Sequence, residues 1–61
     1  MPLVTIKMIE GRTLEQKRAL VEKVTDAVVE ALDITPDRVS ITLQHMAKDD
    51  FAKGGKLTID L

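Results

Sequence analysis

Residues 3–9 alternate in polarity, with Val4, Ile6 and Met8 falling on one face and Thr5 and Lys7 on the other. A side-chain period of two predicts a β-strand with one face committed to a core. Glu10-Gly11-Arg12 ends the run. Thr13-Leu14-Glu15-Gln16 then has the form of a capping box, with Thr13 at the N-cap and Gln16 three residues on. Beyond it the period becomes helical. Leu20, Val21, Val24, Ala27, Val28, Ala31 and Leu32 form a continuous apolar stripe, and Glu15, Arg18, Glu22, Lys23 and Asp26 cover the opposite side. Arg18 and Glu22, four residues apart, read as a solvated pair. Val29 falls among the polar positions, which predicts contact with a neighbouring subunit. The helix should stop near Asp33. Thr35-Pro36-Asp37 places proline directly after a capping residue, the pattern of a short helical turn. Val39, Ile41 and Leu43 then alternate with Ser40, Thr42 and Gln44 as a second half-buried strand.

Strand, helix, strand is a βαβ unit, and so long a crossover predicts parallel strands joined with right-handed sense. Met46 to Lys53 reads as a loop, Gly54-Gly55 as a turn, and Leu57 to Leu61 as a short terminal strand or the second arm of a hairpin. The fold class is α+β, in one domain spanning residues 1–61. Two parallel strands and one helix leave open strand edges and a bare sheet face, too little for independent stability. The missing strands are therefore expected from other copies of the chain.

Composition sharpens that expectation. A chain of 61 residues buries only ~60% of its unfolded surface, and disulfides, metals or oligomerisation usually make up the difference at this size. There is no Cys to form a disulfide or thiolate site, and one histidine, His45, does not make a zinc site alone. Self-association remains. Net charge is −1 with acids and bases interspersed, and Phe51 is the only aromatic residue, which argues against nucleic acid as a partner. No apolar stretch approaches the ~20 residues that span a bilayer. Lys7 and Glu10 interrupt the first apolar run, so no signal-peptide core is expected and a cytoplasmic location is the default.

The candidate chemistry begins at Pro2. An initiator methionine is commonly removed when the next residue is as small as proline, and removal of Met1 leaves a secondary, ring-held amine at the N-terminus. Placed in a pocket, that amine is a general base that needs no side chain. The plainer alternative is that Pro2 starts an edge strand, where a missing N–H costs little.

Pro2, Ile9-Glu10-Gly11-Arg12-Thr13, Glu15-Gln16-Lys17, Met46-Ala47-Lys48, Phe51 and Gly54-Gly55, taken together, closely resemble the 4-oxalocrotonate tautomerase family over nearly the whole chain. The resemblance implies a cofactor-independent enzyme with no metal. Such an enzyme moves a proton within an unsaturated 2-hydroxy or 2-oxo acid, interconverting enol and conjugated keto forms. It implies that Pro2 is the catalytic base and that Arg12 binds a substrate carboxylate and draws electron density along the conjugated system. A planar guanidinium suits bidentate carboxylate recognition. Phe51 matches the aromatic that walls the family's pocket, and Ile9 is placed to line it. The implied assembly is a homohexamer, a trimer of dimers, with a small molecule as substrate.

The chain departs from the family at one position. Ser40 stands where the resemblance implies a second arginine early in the second strand, supplied by a neighbouring subunit. Arg38, two residues earlier and so about 6.6 Å away on the same face of an extended chain, could reach part of the way. The departure puts a dicarboxylate substrate in question, and a monoacid fits as well. His45 is expected to be a half-exposed strand residue without a role. A second enzymatic reading keeps Pro2 as an acid in a hydratase or haloacrylate dehalogenase, with Asp49 or Asp50 to activate water. A third is a non-catalytic oligomeric binding protein, which applies if Met1 stays attached and Pro2 remains an amide.

Overall fold

In the computed structural model, which describes all of residues 1–61, strand β1 spans Leu3–Ile9, helix α1 Leu14–Leu32 and strand β2 Ser40–Met46. A small hairpin follows, β3 at Ala52–Lys53 and β4 at Lys56–Leu57. Single 3₁₀ turns occupy Pro36–Arg38, Lys48–Asp50 and Thr58–Asp60. β1 and β2 pair in parallel from Leu3↔Ser40 to Ile9↔Met46, as the long helical crossover requires.

Local chemistry sets each boundary. Gly11, at φ 118°, turns the chain out of β1 in a conformation that side-chain-bearing residues rarely adopt. The capping box is complete. Thr13 Oγ1 accepts from the Gln16 N–H at 3.1 Å, and Gln16 Oε1 accepts from the Thr13 N–H at 3.0 Å. At the other end Asp33 takes the left-handed conformation, φ 53°, and its N–H donates to the Val29 carbonyl. Aspartate is among the few residues that tolerate this region. The alternation in the strands is the expected one. Val4, Ile6 and Met8 in β1, with Ile41 and Leu43 in β2, are half-buried, while Leu3, Thr5, Lys7, Ser40, Thr42 and Gln44 are exposed on the open face.

Three expectations need correction. The inner side of the helix is Leu20, Val21, Val24, Val28 and Val29, all half-buried, whereas Ala27, Ala31 and Leu32 are exposed. Val29 is therefore partly covered within its own chain. Leu14 in the first turn and Leu32 in the last are 61% and 57% exposed. The segment Met46 to Lys53 is not one loop, because Met46 closes β2, Lys48–Asp50 forms a turn and Ala52–Lys53 is a strand. The terminal strand at Leu57–Leu61 shrinks to Lys56–Leu57, since Thr58–Asp60 coils into a 3₁₀ turn.

No residue of the chain is fully buried. Its radius of gyration is 14.6 Å, against about 10.5 Å for a compact domain of this length. The accessible surface is 4958 Å², some 1,000 Å² above the ~3,950 Å² expected of a folded monomer of this mass. Leu3, Ile59 and Leu61 are 78%, 60% and 79% exposed. A chain of this shape has the secondary structure of a domain without the core.

Candidate active site

β1 divides the candidate residues into two groups. At its start, the Pro2 carbonyl accepts from the Ser40 N–H at 3.2 Å, which fixes Pro2 beside the first residue of β2. Pro2 is half-buried, while Met1 beyond it is 85% exposed. Arg38 lies at the same end. Its N–H closes a 3₁₀ turn on the Thr35 carbonyl at 3.1 Å, and its side chain is exposed. Arg38 is the only Lys or Arg between residues 24 and 47.

At the far end of β1, Ile9 pairs with Met46, and the Glu10 N–H donates to the Met46 carbonyl at 2.9 Å. Gly11 then swings the chain outward, so that Arg12 stands exposed between strand and helix cap. The exit of β2 brings Phe51 to this same end, after the turn at Lys48–Asp50. The Phe51 carbonyl is held twice by Thr58, from its N–H at 2.8 Å and its Oγ1 at 3.1 Å. That pair of bonds sets the ring at the base of the hairpin, where Phe51 is 41% exposed.

Six strand steps separate the two groups, about 20 Å. That distance is more than twice the ~8 Å over which charges act through physiological salt. Within one chain, then, the structure does not bring the predicted catalytic pair together. The chain encloses no cavity of its own. Ile9, Arg12 and Phe51 do share an end, as do Pro2, Arg38 and Ser40. No three His, Asp or Glu side chains converge on a point that would hold a metal ion. His45 is exposed at its strand position opposite Met8.

The turn expected at Gly54-Gly55 is present and joins the two arms of the hairpin. Gly54 and Gly55 both take positive φ, 63° and 83°, the geometry of a tight two-residue hairpin loop, and this sets Lys53 directly across from Lys56. The signal was in the sequence, since a Gly-Gly pair flanked by equal arms fixes a hairpin register.

The sequence profile of the family described as tautomerase enzyme matches residues 2–60. A 2-hydroxymuconate tautomerase from Bacillus subtilis (strain 168) is 49% identical over 61 residues, covering 100% of this chain and 98% of that protein. Among solved structures, a homologue of 4-oxalocrotonate tautomerase superposes with a TM-score of 0.93 at 48% identity, over 98% of each chain. A heterohexameric 4-oxalocrotonate tautomerase from Chloroflexus aurantiacus superposes with a TM-score of 0.93 at 31% identity, over 100% of this chain and 98% of that one.

Proposed function

This chain belongs to the tautomerase family and is an enzyme of the isomerase type, and on that premise we propose that it ketonises an unsaturated 2-hydroxy acid with the amine of Pro2 as its base. Met1 is first removed, which converts the Pro2 nitrogen from an amide without a basic lone pair into a secondary amine. The neutral amine accepts the 2-hydroxyl proton as the carbonyl forms. Electron density moves along the conjugated chain, and the prolinium returns the proton to a carbon further along. No cofactor takes part.

Arg12 of a second copy binds the substrate carboxylate and stabilises the charge that develops beside it. Such a contact acts best where water is excluded. Phe51 and Ile9, which lie at the Arg12 end of that second copy, wall the pocket. Arg38 and Ser40 belong to the Pro2 side and contact the substrate there. The assembly that supplies both halves is a homohexamer, a trimer of dimers, with the surplus apolar surface of each chain covered by its neighbours.

The observation that carries this reading is the full-length likeness to a 2-hydroxymuconate tautomerase, 49% identical without a missing segment. The separation of Pro2 from Arg12 supports the shared site. The test is covalent labelling with an electrophilic acetylenic carboxylate. One label per chain, mapped to Pro2, is the expected result. The form that retains Met1 should assemble but stay unlabelled and inactive. Labelling of another residue, or equal turnover by the Met1-retaining form, would remove Pro2 from the mechanism.

A further inference from the structure

The hairpin ends on Thr58, a residue with no part in the proton transfer. Thr58 is half-buried, and every other residue after Ala47 is exposed. Extending the register of Ala52↔Leu57 by one step sets Thr58 opposite Phe51. In an antiparallel ladder, alternate opposed pairs exchange two backbone bonds. Here only one of the two is made, from the Thr58 N–H to the Phe51 carbonyl at 2.8 Å. The Thr58 carbonyl is turned instead into the last 3₁₀ turn, where it accepts from the Leu61 N–H at 3.1 Å. The Thr58 hydroxyl supplies the second tie, donating to the same Phe51 carbonyl at 3.1 Å.

Little else holds this part of the chain. The only other side-chain hydrogen bonds are the two of the capping box. Each arm of the hairpin is two residues long, and an isolated pair of strands is marginal in water. Upstream, the Asp50 N–H donates to the Ala47 carbonyl at 2.9 Å, which closes the turn before Phe51 but does not reach the hairpin. The two bonds at the Phe51 carbonyl thus join the turn before the hairpin to the turn after it. A carbonyl held by two donors cannot rotate without losing both, so they also fix ψ of Phe51, at 131°.

We propose that Thr58 is a positioning residue for catalysis, its hydroxyl acting through the Phe51 carbonyl to hold the aromatic wall of the pocket in place. This deepens the proposed function and rests on it, because Phe51 meets substrate only if it lines the pocket. In this role the hydroxyl touches no reacting atom. It keeps the ring where it shields the contact between Arg12 and the substrate carboxylate, a contact that gains strength as water is excluded. Without the hydroxyl a single backbone bond remains at Phe51, and the ring is free to swing away from the pocket.

The test is a double-mutant cycle on the assembled protein, assayed with 2-hydroxymuconate. Thr58→Val keeps the shape of the side chain and the backbone bond and removes only the hydroxyl. It should lower kcat about fivefold, the scale of one neutral hydrogen bond, and leave KM within about twofold. Thr58→Ser keeps the donor and should match the parent. In a Phe51→Ala background, Thr58→Val should cost nothing further, because the ring it positions is gone. An undiminished kcat in Thr58→Val overturns the positioning role. So does a loss that persists without the Phe51 ring, or one that Thr58→Ser shares. Dissociation of the Thr58→Val protein in native mass spectrometry overturns it as well, since the hydroxyl would then serve assembly. Each of these results leaves the tautomerase reading standing. If the unsubstituted protein does not turn over 2-hydroxymuconate, the proposed function itself fails, and the positioning role with it.

Discussion

At the scale of single residues, Arg12 is the informative one, because its position gives it nothing structural to do. It lies outside the helix stripe, makes no side-chain hydrogen bond and stands exposed after Gly11. Removing it should leave folding almost untouched. Surface changes of this kind usually fall within ~0.5 kcal/mol. Its proposed contact with a substrate carboxylate predicts a large kinetic effect instead. Arg12→Ala should lower kcat/KM for 2-hydroxymuconate by about a hundredfold, the scale of a lost transition-state donor, with the urea midpoint unchanged. Activity within twofold of the parent would return Arg12 to the status of a surface residue. Pro2 is the opposite case, a residue whose chemistry depends on its neighbour. While Met1 is attached, its nitrogen is an amide and nothing in the ring is basic.

At the scale of elements, the helix start is where local sequence decides most. Both reciprocal bonds of the capping box are present, so two backbone donors that would otherwise lack partners are satisfied within four residues. Thr13→Ala should destabilise the assembly by about 1 kcal/mol per chain in chemical denaturation at fixed protomer concentration. No loss of stability would mean that packing between copies, rather than the cap, holds the first turn. The cap was legible from Thr13 and Gln16 because it depends on a spacing of three. Both strands were legible because one bare face enforces alternation, and the parallel pairing because a 19-residue crossover allows little else. The outer limits of the helix stripe were not legible. Ala31 and Leu32 keep helical period but are exposed, and periodicity carries no information about how far a covering element extends. The C-terminal segment is hard to read from sequence because it is short. Its strands are two residues long, and alternation over so short a span cannot be told from a loop. The sequence nominates Pro2, Arg12 and Phe51 but carries no information on where they would meet, because β1 holds Pro2 at one end and Arg12 and Phe51 at the other.

At the scale of the whole molecule, that separation governs the rest. The chain has no fully buried residue and ~1,000 Å² of surplus surface, and the proposed assembly would complete its core and its active site in the same act of association. Catalysis should then depend on assembly, and residues of one site should be traceable to different copies. Subunit mixing tests this directly. Pro2→Ala and Arg12→Ala proteins, each nearly inactive alone, are unfolded together in equal amounts, reassembled and assayed with 2-hydroxymuconate. If every site takes Pro2 from one copy and Arg12 from another, random assembly leaves about a quarter of sites with both native residues, and the mixture should regain about that share of parental activity. If both residues act within one chain, no intact site can form. A mixture as inactive as its two components, with native mass spectrometry confirming mixed assemblies, would contradict the shared site.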